Sequence, residues 1–304
     1  MAWSELGPAH VGEIMTLIGA IETADGSLLR TSAEEVEGFF DPALKWRAIG
    51  MFGTDGSLLA FGLARMAPSD GEVRLYGGVH PHARGEGIGR LLASQQLKAA
   101  REIGGKSAVV HVDHRNLELA KLLEREGFEL SHSYVQLRRS LDMDDEDIPN
   151  PAYIRLTPLT ANYDADVVRR HNAIQVQAGG APMAREVWTA EHAFIDRDWS
   201  FVALDVRGDR PRVAAYIVCE RYEQDWHALG WSEGYIAEVA LGDEWRGLRL
   251  ISLLLGCSMD AFRKSGVAYA GIDISEDNYL LSTFEDYGFE TIGRARVYIA
   301  DVGK

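Results

Sequence analysis

The sequence predicts two α/β domains in tandem, each a mixed α+β sheet with helices interleaved between strands. Three observations carry this. Arg84-Gly85 recurs as Arg246-Gly247 and Gly127-Phe128 as Gly288-Phe289, and the two spacings differ by one residue. Paired landmarks of that kind are the mark of an internal duplication. Between the copies, 142–147 holds five acidic residues in six, with Pro149 and Pro151 close behind. Such a stretch suits neither a helix nor a strand interior and reads as a linker centred near residue 145. Apolar runs of strand length alternate with runs of helical spacing in both halves, as a mixed sheet requires. The predicted domains are 1–141 and 152–304.

The elements follow in order. Val11, Ile14, Met15 and Ile18 have the spacing of an amphipathic helix over 9–21. A short helix over 34–40 has Thr31 or Ser32 as its cap. Segments 46–52 and 57–64 read as strands joined by the turn Thr54-Asp55-Gly56. A strand over 73–79 runs into a glycine loop and a helix over 88–103. A valine-rich strand at 107–112, a helix at 117–126 ending on Gly127, and a strand at 134–138 close the half. The second half repeats the order. A helix at 165–173 is followed by strands at 201–205, 212–219 and 235–241, a helix at 250–264, a strand at 268–274, a helix at 279–287 and a strand at 296–299.

Composition narrows the function classes. The 304 residues are 46% hydrophobic and 25% charged, ordinary values for a globular chain. No run approaches the roughly 20 apolar residues of a membrane helix. Residues 1–5 lack the basic and apolar regions of a secretory signal. Cys219 and Cys257 both lie in apolar runs and read as small hydrophobes in a reducing compartment. The expected setting is therefore cytoplasmic, with no membrane partner. A net charge of −15 without a Lys/Arg run speaks against nucleic acid. The same charge is compatible with a cationic small substrate.

Arg84-Gly85-Glu86-Gly87-Ile88-Gly89-Arg90 stands between a strand and a helix. Glycines there allow positive φ and close backbone approach. The helix start contributes unpaired N–H groups and a positive dipole end, together an anion site suited to a diphosphate. Arg84 and Arg90 add charged donors. A tight strand–helix turn without a ligand is the plainer alternative. The spacing fits neither Gly-x-Gly-x-x-Gly of dinucleotide binders nor the Gly-Lys-Ser/Thr of nucleotide P-loops. His80, His82, His111, Asp113 and His114 lack further partners at ligand spacing, so no metal is expected. Cys257 has no nearby histidine to make it a nucleophile.

The loop does match Arg/Gln-x-x-Gly-x-Gly/Ala, and with it the chain resembles the GNAT N-acetyltransferase superfamily. Val79-His80-Pro81, Leu91-Leu92, Val110-His111-Val112-Asp113, Asn116 with Ala120, and Glu124 to Phe128 fall where that superfamily has them. The resemblance covers the chain twice, implying two tandem GNAT folds. The layout is similar to the mycothiol synthase branch, through Ile21 to Gly26 and Glu34-Glu35-Val36 in the first half. Tyr153 to Leu156 and Ser275 to Asn278 are the matching stretches in the second. In that branch the second domain usually does the chemistry. Here Arg249 and Ile251 replace the motif glycines of the second loop, and Tyr235 stands where the branch has a catalytic glutamate. The intact acetyl-CoA loop is thus expected only in the first domain, with the second degenerate.

What the resemblance implies is acetyl transfer from acetyl-CoA, as co-substrate, to a primary amine of a small molecule by direct attack. A non-catalytic acyl-CoA-binding or regulatory protein, monomer or homodimer, is the alternative. The implied cofactor-binding residues are Val79, Arg84, Gly85, Glu86, Gly87, Ile88, Gly89, Arg90 and Asn116. A lysine-like ammonium must first lose a proton, which at pH 7 costs roughly 4.6 kcal/mol for a pKa of ~10.4. A base is therefore needed. Glu72 is a candidate that needs a strand bulge to reach the usual face, or is a solvated strand-end carboxylate. Tyr76 lines the acceptor side or packs. Glu34 matches a substrate-contacting glutamate of the mycothiol synthase branch, or is an exposed first-turn residue. The tyrosine that many members use as thiolate acid is Leu123 and Phe284 here.

Overall fold

A computed structural model describes residues 3–27, 30–67, 71–177 and 180–303. The chain forms two compact units. One holds the chain through Tyr134, His227–Leu229, and everything from Gly293 on; the other holds Val135–Trp226 and Gly230–Ile292. The duplication boundaries read from the sequence and the borders of the compact units are different things here, because each unit contains a strand coded outside its own half.

In the first half the elements are β1 (Trp3–Leu6), α1 (Val11–Asp25), α2 (Ala33–Gly38), β2 (Trp46–Phe52), β3 (Leu58–Met66), β4 (Glu72–Val79), α3 (Ile88–Glu102), β5 (Ser107–Asp113), α4 (Leu117–Arg125) and β6 (Glu129–Ser140). Ser32 caps α2, its hydroxyl accepting from the Glu35 N–H. β1 to β4 pair antiparallel in succession. β4 then runs parallel to β5. The last strand of the chain, β12 (Glu290–Asp301), lies antiparallel against β5 from Ala295 to Asp301 and completes this sheet. α3 and α4 cover one face through Leu97, Ala100, Ala120 and Leu123. α1 and α2 cover the other through Ile14, Leu17 and Val36.

The second half consists of β7 (Ile154–Pro158), α5 (Asp164–Gln177), α6 (Arg185–Glu191), β8 (Phe201–Asp205), β9 (Arg212–Arg221), α7 (Glu223–Leu229), β10 (Glu233–Leu241), α8 (Leu250–Lys264), β11 (Tyr269–Ser275), α9 (Leu281–Asp286) and β12. β7 to β10 pair antiparallel in succession. β10 runs parallel to β11, and the end of β6 takes the place beside β11. The two units thus share one topology, as the repeat predicts. α8 is buried along most of its length, including Leu250, Ile251, Leu254, Leu255 and Phe262. That burial accounts for its more apolar sequence relative to α3.

The linker is more than a spacer. Residues 141–153 have no regular structure, yet Asp145 pairs with Arg139 at 2.8 Å and with Arg263 at 2.5 Å. β1, β7, α6 and α7 had no counterpart in the sequence reading. β1 and β7 are edge strands of four and five residues, too short for a clear alternation. Among the described residues, no helix is long and apolar enough to cross a membrane.

Candidate functional site

Two parallel strands stay together only while they hydrogen-bond. In the first unit β4 and β5 pair over Glu72–Arg74 and Ser107–Val109 alone. Beyond that, β4 follows β3 as far as Val79 and β5 follows β12 as far as Asp113. A wedge therefore opens between the two strands, and it leads to the loop after β4. Gly85 (φ +83°) and Gly87 (φ +82°) occupy the left-handed region there, and Gly87 is the N-cap of α3. No side chain caps that helix, so its first-turn N–H groups remain donors without an intrahelical acceptor. A Cβ at Gly85 or Gly87 would meet no protein atom within 4 Å. Glycine is required at these positions by the backbone, not by packing.

Around this loop the sequence-predicted residues fall as follows. Arg84 donates from Nη1 and Nη2 to Asp25 at 2.6 and 3.0 Å and from Nε to the Val79 carbonyl at 3.2 Å. It braces the loop against the end of α1. Glu86 is exposed, and Arg90 pairs with Glu126 at 2.8 Å at the surface. Ile88 is buried beneath the loop. Gly89 approaches Leu122, whose Cδ1 would lie 3.2 Å from an added Cβ. Asn116 caps α4, its side-chain oxygen accepting from the Leu119 N–H at 3.1 Å.

The acceptor-side candidates are scattered. Glu72 lies where β4 is still paired, at the closed end of the wedge, and accepts from Arg74 Nε at 3.3 Å. The β3–β4 register carries no shift, so the bulge that would re-aim Glu72 is not on this strand. Tyr76 lies in the open part, with its ring 5.0 Å from Phe39 and under the Arg65 guanidinium at 5.6 Å. Glu34 is exposed in the first turn of α2. His111 meets the Tyr134 hydroxyl and His80 stacks on His82. Among the described residues no group of three or more His, Cys, Asp or Glu is arranged to hold a metal ion.

The second unit repeats the wedge. β10 pairs with β11 over Glu233–Tyr235 and Tyr269–Gly271 only. The loop beyond keeps the backbone path of the first, with Gly247 at φ +84° and Arg249 at φ +54°. Arg249, the N-cap of α8, is the one non-glycine residue with positive φ among the described residues. Its guanidinium is turned toward Glu146 of the linker, with Nη1 donating to Oε1 at 2.9 Å. Ile251 is buried in the core. A crevice of about 350 Å³ stays open beside this loop, lined by Leu241, Arg246, Gly247, Arg249, Tyr279 and Tyr287. Because Arg249 holds a left-handed conformation that glycine adopts freely, and its ion pair is half exposed, Arg249→Gly is expected to keep or raise the melting temperature. A lower value in thermal unfolding would show that the contact with Glu146 outweighs the backbone strain.

The bulge occurs on β10. Its register against β9 shifts between Ile236 and Glu238. With regular alternation these two side chains share a face. The extra residue, Ala237, instead leaves Ile236 in the α8-side core and turns Glu238 toward α5 and α6. There its Oε1 accepts from His171 Nδ1 at 2.6 Å and from the Tyr216 hydroxyl. Its Oε2 accepts from Trp188 Nε1 at 3.0 Å and His192 Nε2 at 3.2 Å. Sequence reasoning passed over Glu238, although a carboxylate in the middle of an apolar strand was a visible signal. Tyr235, the residue that drew the comparison, sits near Tyr222 instead.

Burial opposes charge on Glu238, but hydrogen bonds from His171 and His192 outweigh it and hold the carboxyl well below its usual range. The bond to Glu238 raises His171 above the ordinary imidazole value. Burial opposes the charge of His192, and its bonds to Glu238 and to the Trp188 carbonyl overcome that. By linkage, the Glu238 contribution is present above ~4.3, the unfolded value, and is lost as pH falls through the lower folded one. The histidine contributions are full below ~6.5 and are lost as pH rises through their raised folded values. Stability is therefore expected to decline on the alkaline side of about pH 6.5, and Glu238→Gln should flatten that decline. Melting temperature against pH for both proteins checks this.

The sequence pattern of the acetyltransferase (GNAT) family matches residues 27–128. A mycothiol acetyltransferase of Thermomonospora curvata is 35% identical over 99 residues, which is 32% of this chain and 31% of that protein. Two solved structures are similar over nearly the whole length. A GCN5-related N-acetyltransferase from Sphaerobacter thermophilus has a TM-score of 0.78 at 18% identity, covering 99% of this chain and 95% of its own. A tandem GNAT protein from the clavulanic acid biosynthesis pathway has a TM-score of 0.73 at 17% identity, covering 100% and 99%. Residues 27–128 thus match the GNAT acetyltransferase family, and the likeness to these solved structures shows their fold over the whole chain. The match to the mycothiol acetyltransferase spans about a third of that protein's length.

Proposed function

We propose that the protein is an acetyl-CoA-dependent N-acetyltransferase that moves an acetyl group to a primary amine of a small molecule by direct attack. The observation that carries this reading is the wedge between β4 and β5 of the first unit, leading to uncapped helix amides behind Gly85 and Gly87. An extended thioester arm fits an opening between strands, where β4 and β5 no longer pair with each other. Its diphosphate suits the start of α3, where dipole and N–H groups favour an anion. The Val79 region supplies a backbone amide for the oxyanion. Arg84, braced by Asp25, keeps the loop in place, and Arg90 offers a surface cation. The chemistry calls for no metal.

Calorimetric titration with acetyl-CoA, followed by a thiol-release assay with a panel of primary amines, tests the reading. Binding and amine-dependent release are expected. Absence of heat with acetyl-CoA overturns it, and binding without release on any amine favours a non-catalytic acyl-CoA-binding protein.

A further inference from the structure

The buried centre on β10 is built for a proton. Each Glu238 oxygen already accepts two hydrogen bonds, His171 and Tyr216 on one, Trp188 and His192 on the other. Its lone pairs are filled, so Glu238 is a poor direct proton acceptor. His192 faces acceptors from both ring nitrogens, the Trp188 carbonyl at 2.9 Å from Nδ1 and Glu238 from Nε2. Only the doubly protonated ring satisfies both, which fixes His192 as an imidazolium and removes it as a base. His171 differs. Its Nδ1 donates to Glu238, and among the described residues no hydrogen bond is recorded to its Nε2. A carboxylate on one ring nitrogen sets the tautomer that leaves the other free to take a proton.

Position supports the same reading. Glu238 lies on the part of β10 that has already separated from β11, and α5 and α6 cover it from the face that α1 and α2 cover in the first unit. We propose that the second unit also takes an acetyl thioester, in its own wedge between β10 and β11 that leads to the open crevice beside Gly247 and Arg249, and that His171 Nε2 is the proton acceptor for the amine there, with Glu238 as the residue that positions it. The inference rests on the acetyl-transfer reading above. A primary ammonium gives its proton to Nε2, and the freed nitrogen attacks the thioester carbonyl carbon. The C–S bond then breaks, and the departing thiolate takes the second nitrogen proton. His171 returns its proton to water, so amine, thioester and thiol balance. The positive ring that forms is held by Glu238, with the Glu191 carboxylate nearby; the His192 imidazolium opposes it, Glu220 acts on the His192 side, and Arg170 lies on the Tyr216 side of the centre. The bond to Glu238 raises His171 above an ordinary imidazole, toward the working pH that suits a general base.

The test uses the full chain with acetyl-CoA and the amine panel. His171→Gln is expected to lower kcat by about 10²-fold or more, the usual worth of a positioned base, with acetyl-CoA affinity unchanged. The wild-type rate should rise with pH through one ionisation that is absent in His171→Gln and moved to lower pH in Glu238→Gln. Wild-type circular dichroism and a single cooperative unfolding transition confirm that each variant is folded. An active wild type whose rate and pH profile survive His171→Gln overturns the inference and leaves acetyl transfer standing. A wild type that binds no acetyl-CoA, or transfers to no amine, overturns both.

Discussion

Valine at position 87 is expected to leave the protein folded while weakening acetyl-CoA binding by about 10²–10³-fold. Gly87 holds φ +82° at the start of α3, and nothing lies within 4 Å of a Cβ placed there. The substitution therefore meets a backbone penalty of about 1–2 kcal/mol and no steric clash with the protein. To relieve that penalty the first turn of α3 must rotate, which re-aims the amides proposed to hold the diphosphate. Loss of two charge-assisted hydrogen bonds accounts for the expected drop. Gly56, in the turn between β2 and β3, has the same φ of +82° and the same open surroundings. Gly56→Val is the matched control: a similar stability loss with unchanged affinity in calorimetry. Equal affinity of wild type and Gly87→Val would place the bound acetyl-CoA somewhere other than this loop.

The second large effect falls on stability. Gly77 sits in β4 at φ +132°, and a Cβ there would lie 2.0 Å from the Phe61 carbonyl oxygen. That atom belongs to β3, paired with β4 along its length, so it cannot withdraw without breaking the ladder. Gly77→Ala is expected to cost more than about 3 kcal/mol, from backbone strain and a clash with main chain together. Denaturant unfolding measures it. A loss under about 1 kcal/mol would mean that β4 bends freely at this point.

Periodicity made most of the fold legible. Helices α3, α4 and α8 and strands β2, β5 and β8 fall within a residue or two of their predicted limits, because each has one face or its whole length in the core. The short edge strands β1 and β7 gave too little pattern to detect. The exchange of β6 and β12 between units was hidden for a different reason. A strand's own residues say which face is buried but not which neighbour it pairs with. The glycine loop after β4 was legible because its glycines obey a local rule. The centre at Glu238 was not, because its members, His171, Trp188, His192, Tyr216 and Glu238, are distant in sequence and come together only through a bulge. Arg249 shows the limit of motif reading from the other side. The missing glycine was noted, yet the backbone there follows the glycine path regardless.

The return of the final strand to the first unit has a consequence for how the protein is made. On the ribosome, everything through Tyr134 emerges early, but β5 remains an unpaired edge until Ala295–Asp301 has been translated. The amino-terminal half must wait through synthesis of the whole other half with a sticky valine-rich border exposed. A fragment cut at residue 141 keeps that border permanently open, so self-association is its natural fate, and adding the missing segment as a peptide should cure it.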